Sequence, residues 1–170
     1  MFPKPVLMIQ TMRGKWCVVF PLLLLWLVGA GCSNYPKDPE KTLEKVSNGT
    51  LHVGYSENPP WVVKGAAAPT GIEADLIKAF AQSIGAQIQW HNDTEQNLLE
   101  ALEEKQLQVV IAGLTDDSPW SKNVSFTRPF VELGKKKHVM AVVMGENAFI
   151  TKLESFLHQQ ASSLEKQVQP

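Results

Sequence analysis

TGIEADLIKAFAQSIGAQIQW, residues 70–90, is the stretch that decides the fold. Ile72, Leu76, Phe80 and Ile84 recur every four residues, which predicts one apolar face of a helix. Thr70 stands where it can cap the first turn, and Glu73 three residues on predicts a capping box. Gly85 lies where a helix C-terminal glycine is expected. Gln87–Trp90 then reads as a strand. Upstream, LHVGY (51–55) predicts a strand that Asn58-Pro59-Pro60 ends. Downstream, Asn92 or Asp93 is expected to cap a helix carrying Leu98, Leu99 and Leu102. The unbroken apolar run VVIAG (109–113) suits a strand covered on both faces. HVMAVVM (138–144) predicts a fourth strand, and Phe149, Ile150, Leu153, Phe156 and Leu157 predict a last helix beginning after Asn147. This alternation argues for an α/β domain with a mostly parallel sheet and helices on both faces. The expected domain runs over 51–160, long enough to bury a core, with a polar tail over 161–170.

The composition excludes several functions. The formal net charge of −1 over 170 residues gives no basic field for nucleic acid. Both cysteines, Cys17 and Cys32, precede the domain, so a disulfide framework or a cysteine metal site within it is ruled out. His52, His91, His138 and His158 stand in no ligand spacing, and no metal or other cofactor is expected. Nucleophile-elbow, Walker A and dinucleotide fingerprints are absent. Nothing supplies a catalytic pair, so no enzymatic activity is expected. Glu103-Glu104 and Lys135-Lys136-Lys137 read as solvated surface.

The N-terminal segment reads as an address rather than as fold. Arg13 and Lys15 precede the apolar run WCVVFPLLLLWLVGAG (16–31), short against the roughly 20 residues of a membrane span. Gly29-Ala30-Gly31-Cys32 closes it and resembles a bacterial lipobox, in which the cysteine becomes the lipidated first residue. The resemblance implies a signal peptide over 1–31, palmitate-type acylation of Cys32 and a membrane-anchored periplasmic protein. Ser33 after the cysteine favours the outer membrane. Cleavage removes three of the 16 basic residues and leaves 13 against 17 acidic ones, a mildly acidic mature chain. Residues 32–50 read as a tether, with a short helix near 41–46.

Three segments in order carry a further resemblance: GYSENPPW (54–61), TGIEADL (70–76) and AGLTDDSPWSKNVSFTRPF (112–130). They resemble the corresponding segments of family 3 bacterial solute-binding proteins, the periplasmic components that deliver polar solutes to ABC transporters. The resemblance implies a single three-layer lobe of a type 2 periplasmic binding protein. It also places ligand-binding residues at Asn58, Trp61, Gly113, Thr115 and Trp120, where two strands end. Trp61 is expected to give an aromatic wall, Thr115 a hydroxyl, and Gly113 close backbone approach. Asn58 stands where a stacking aromatic is common, and Trp120 where amino-acid binders carry an arginine. A guanidinium is the natural partner of a carboxylate, so free amino acids are expected to bind poorly. Trp61, Thr115 and Trp120 are expected together on an exposed face.

After Phe130 the chain reaches HVMAVVM within eight residues, so the family's second lobe is missing. One lobe buries one side of a small solute, which implies weak binding or a second subunit or transporter component that completes the pocket. The alternative reading is a protein-interaction or sensor module whose ligand face docks a partner.

Overall fold

The computed structural model describes residues 38–168. The signal-peptide reading, Cys32, Ser33 and the first part of the tether lie outside the described residues. The elements, in chain order, are α1 (Thr42–Val46), β1 (Thr50–Tyr55), α2 (Ile72–Ser83), β2 (Gln87–Asn92), α3 (Glu95–Glu103) and β3 (Val109–Ile111). A 3-10 turn over Pro119–Lys122 follows, then β4 (Ser125–Phe126), β5 (Val131–Leu133), β6 (Lys136–His138), β7 (Ala141–Val142) and α4 (Asn147–Val168).

Five strands form the sheet in the order β2-β1-β3-β7-β4. β1 is parallel to both its neighbours, with six residue pairs to β2 from Thr50↔Gln87 to Tyr55↔Asn92. β7 is antiparallel to β3 and to β4. The sheet is thus mostly parallel, with an antiparallel edge. Gly54 faces α3, since a Cβ there would lie 2.9 Å from a Leu98 methyl and 2.7 Å from one of Leu107. Leu51, Val53 and Tyr55 point the other way by alternation and are buried too. Both faces of β1 are therefore covered. α2 meets α4 through Phe80, whose ring lies 6.1 Å from Phe149 and 5.6 Å from Phe156.

Several boundaries differ from the sequence reading. No capping box opens α2. Gly71 is its N-cap, and the first amides are taken by loop carbonyls, Ile72 N–H by Pro60 (3.3 Å) and Glu73 N–H by Trp61 (3.0 Å). That frees the Glu73 side chain to turn inward. Thr94, rather than Asn92 or Asp93, caps α3 by accepting from Asn97 N–H. Asp93 instead accepts from Thr94 N–H and Asn97 Nδ2.

The run 138–144 is not one strand. Its first residue closes a hairpin in which Val131 pairs with His138 and Leu133 with Lys136, and only Ala141–Val142 joins the sheet. Gly134 sits at φ +62 in the two-residue turn, the backbone that the first position of such hairpins requires. Apolarity alone could not separate two strands serving different sheets.

The ends also differ. Residues 38–50 are not a tether. Thr42 and Val46 are buried, and Asp38 accepts hydrogen bonds from Ala148 and Phe149 N–H (2.6 and 3.1 Å), capping α4 from 110 residues away. Asp38 also accepts from Leu43 N–H at 2.9 Å, so one carboxylate serves two helix starts. The tail from 161 does not fray at once. α4 continues to Val168, and Leu164 is buried.

Candidate functional site at the carboxyl ends of the parallel strands

β1 and β3 are parallel neighbours, so the loops leaving them emerge side by side. Their junction is a hydrogen bond from Asn58 Nδ2 to the Ala112 carbonyl at 2.8 Å. The loop after β1 turns tightly: Trp61 and Val62 N–H both reach the Asn58 carbonyl, Asn58 N–H reaches that of Val62, and Pro59–Pro60 is cis. Gly113 lies directly against this turn at φ +65. A Cβ there would fall 2.5 Å from Asn58 Nδ2 and 2.8 Å from the Trp61 ring, so the close approach needs glycine. Asn58, Trp61 and Gly113 are thus brought together.

Trp61 is not the exposed wall expected of it. It is buried, 6 % exposed. Its ring stacks on His138, with centroids 3.8 Å apart and planes inclined by 27°, and Phe130 meets it edge-on at 6.3 Å. Phe130 precedes β5 and His138 ends β6, so the β5–β6 hairpin covers Trp61. The expected cluster is divided accordingly. Thr115 approaches Trp61 only through His138, with which it forms an isolated antiparallel bridge. Trp120 is half-buried in the 3-10 turn and is not among the ring partners of Trp61.

Several hydrogen-bond donors at the strand ends are engaged, whereas Ser118 Oγ in the loop after Thr115 is buried without a partner. Thr115 Oγ1 donates to the Asp117 carboxylate. Gly113 N–H donates to Glu73 Oε2 at 2.9 Å. Glu73 is wholly buried, and its other oxygen has no partner. Burial drives its carboxyl up to about 8, against the opposing pull of the Gly113 and Ala112 amides. Glu73 is therefore neutral at pH 7 and holds the strand end without charge. His138 is held below its ordinary value by burial and then by Lys136, so it too is neutral, with Nδ1 unpartnered.

Sequence reasoning missed Glu73 and His138. The signal for Glu73 was present, a glutamate two residues before the aspartate of the same helix turn, but the capping-box reading assigned it outward. Nothing local marked His138. Among the described residues, no group of three His, Cys, Asp or Glu side chains is placed to hold a metal ion.

Residues 51–168 match the profile of the bacterial extracellular solute-binding proteins, family 3. Membrane-bound lytic murein transglycosylase F of Cellvibrio japonicus is 27 % identical over 113 residues, covering 65 % of this chain and 23 % of that protein. A probable histidine-binding protein of Campylobacter jejuni is 25 % identical over 117 residues, covering 68 % and 46 % respectively. The chain thus spans less than half the length of either curated relative. Among solved structures, the arginine-bound form of domain 1 from TmArgBP matches with 26 % identity and a TM-score of 0.62. That match covers 68 % of this chain and 97 % of the TmArgBP domain, and the shared architecture is that of one solute-binding lobe.

Proposed function

Since the chain belongs to the bacterial extracellular solute-binding proteins, family 3, we propose that it is a cell-envelope lobe that holds a small polar or aromatic solute at the carboxyl end of its sheet. The observation that carries this reading is the junction of the β1 and β3 loops through Asn58 and the Ala112 carbonyl. In open α/β sheets, ligands sit in the crevice beyond the strand ends. In this reading Asn58, Gly113, Thr115 and Trp120 face that crevice, while Trp61 is covered by Phe130 and His138. The solved TmArgBP domain supports the reading, because a single lobe there is described as arginine-bound.

The hairpin β5–β6 makes this lobe one-sided. A solute on it stays partly in water and binds weakly unless a second subunit or a transporter component covers it. The family supports a role as the substrate-binding component of an ABC transporter. The anchor would be acylated Cys32, and Ser33 would direct it to the outer membrane. Multiple acyl chains give stable anchoring, and palmitate labelling that persists in Cys32→Ala would remove this part of the reading.

The test of binding is a thermal-shift screen of small polar solutes, followed by calorimetry. A saturable solute whose affinity falls in Trp120→Ala supports the function. A chain that responds to none rejects it. One observation favours the second reading, docking of a protein partner: Trp61, the aromatic expected to meet solute, is already stacked on His138. A photo-crosslinker at position 120 that captures one defined protein, together with an empty solute screen, selects this alternative.

A further inference from the structure

The opposite end of the sheet carries a cavity of its own. Thr50 opens β1, Gln108 precedes β3, and Val143 follows the antiparallel β7, so all three stand where the parallel strands begin. With Lys45 of α1, His52 and Lys105 they line a depression of about 280 Å³. That is just under the usual size of a pocket for a drug-sized ligand, and it suits a small ion or acid.

Its side chains offer donors in excess of acceptors. Gln108 Oε1 accepts from His52 N–H at 2.8 Å. Only the oxygen of a side-chain amide can accept, so this bond fixes the orientation of the group and leaves Nε2, with its two protons, to the cavity. Among the described residues, Gln108 is bonded through this oxygen and its backbone. Lys45 is exposed and takes part in none of the ion pairs there. Lys105 is paired with Glu40, the carboxylate among the lining residues, at 3.1 Å, and both side chains are about half-exposed. Glu146 lies behind, but the Glu40 and Thr42 amides, the Thr42 hydroxyl and, through space, Lys105 already answer its charge. The ammonium of Lys45 is left over.

His52 joins these donors by way of His91. Its Nδ1 lies 3.2 Å from His91 Nε2 on the neighbouring strand. In one of the two tautomeric arrangements His91 Nε2–H donates to His52 Nδ1, which puts the His52 proton on Nε2, the ring nitrogen left to the cavity. Burial and then His52 hold His91 below its ordinary value, so its ring is neutral and can play this part.

We propose that this depression is a second ligand site, separate from the solute face, and that it takes a compact oxyanion, a phosphate or carboxylate group. Lys45 supplies the counter-charge, with Lys105 beside it. Gln108 Nε2 and His52 Nε2–H donate to the ligand oxygens, and His91 is a positioning residue that sets the His52 tautomer. An ion held here ties α1, β1 and the segment between α3 and β3 together, so it stabilises the fold by mass action.

The test is calorimetry on the full chain in detergent, with inorganic phosphate and with succinate, at an ionic strength held constant with chloride. Saturable one-to-one binding of at least one of them is expected, and which of the two binds tells phosphate from carboxylate. Gln108→Glu keeps the oxygen that accepts from His52 N–H and turns the donor into a negative charge, so binding should weaken roughly tenfold or more. Lys45→Gln changes an exposed side chain outside every ion pair. It should weaken binding several-fold and leave the melt in chloride unchanged. If Gln108→Glu melts early, Lys45→Gln alone decides. Binding of neither anion overturns the proposal. So does binding that Lys45→Gln leaves intact, because the ion then sits elsewhere on the surface. A failed solute screen leaves this result standing, since the two ends of the sheet share no residue.

Discussion

Two glutamates are sealed inside this domain, one at each end of the sheet, and they ionise in opposite senses. Glu146, 1 % exposed, sits where the parallel strands begin. Burial pushes its carboxyl up, but the Glu40 and Thr42 amides, the Thr42 hydroxyl and then Lys105 outweigh it and hold the group below its ordinary value. The two amides donate at 3.0 and 3.1 Å. Glu73, where the strands end, has one oxygen bonded to Gly113 and the other unpartnered, and burial wins. Burial is common to both residues. The number of donors aimed at the charged form differs, and that decides the sign. The amino end is a finished structural joint, in which Asp38 and Glu146 fasten α1 to α4 and Lys105 pairs with Glu40 at 3.1 Å. The carboxyl end keeps Glu73 Oε1, Ser118 Oγ and His138 Nδ1 buried without partners.

The comparison is broken most severely at the amino end. Glu146→Ala leaves the buried Thr42 amide and the part-buried Glu40 amide without their acceptor, at a cost of about 1–3 kcal/mol for a buried one. The urea midpoint should fall by the equivalent of roughly 3 kcal/mol, and a change under about 0.5 kcal/mol would show that the joint is not structural. Wild-type Glu146 also gives the domain an acid limit. With its folded pKa depressed, its contribution is complete above the unfolded value and fades as pH falls through the folded one.

Glu73 should behave in reverse. Its folded pKa, about 8, lies above the ordinary carboxylate value of 4.5, so the folded state binds the proton more tightly. Stability attributable to Glu73 should therefore be complete below pH 4.5 and decline until about pH 8. Glu73→Gln removes the ionisable group and keeps the shape. It should change stability little at pH 5 and stabilise the domain at pH 8.5. Thermal melts at the two pH values measure this, and a variant that tracks the wild type at both removes the inward, neutral carboxyl from the account.

Gly113→Ala tests how tightly the carboxyl end is packed. The positive φ, with a Cβ 2.5 Å from Asn58 Nδ2, should cost about 1–2 kcal/mol. It should also weaken solute binding, because the β1 and β3 loops must separate. Asp38→Asn is the mildest change. It keeps capping geometry and loses charge at two helix starts, so a loss of about 0.5–1 kcal/mol is expected, smaller in high salt. Salt-independent loss would point to shape rather than charge.

Much of the lobe could be read directly from the residues. The apolar period over Ile72–Ile84 placed α2, the run over Val109–Ala112 placed β3 and its burial, and the helix after Asn147 begins where its spacing implied. These signals are local, set by periodicities of 3.6 and 2 within one element. The three motif segments also located the strand ends where Asn58, Gly113 and Thr115 stand. The misread positions share a different property. Asp38 caps a helix 110 residues away, Glu73 bonds a loop 40 residues on, and His138 covers a tryptophan that follows β1. Trp61 read as an exposed wall because the family resemblance implied one, whereas the residues that bury it come from the hairpin.

The sequence by itself determined the α/β alternation, the parallel pairing it implies and the loops on which a ligand face would stand, because each follows from the order and period of residues along the chain. Tertiary structure alone decided which side chains face solvent at those loops and which carboxyls are charged. Exposure and ionisation depend on donors and rings delivered from distant segments, and no local pattern in this chain records their arrival.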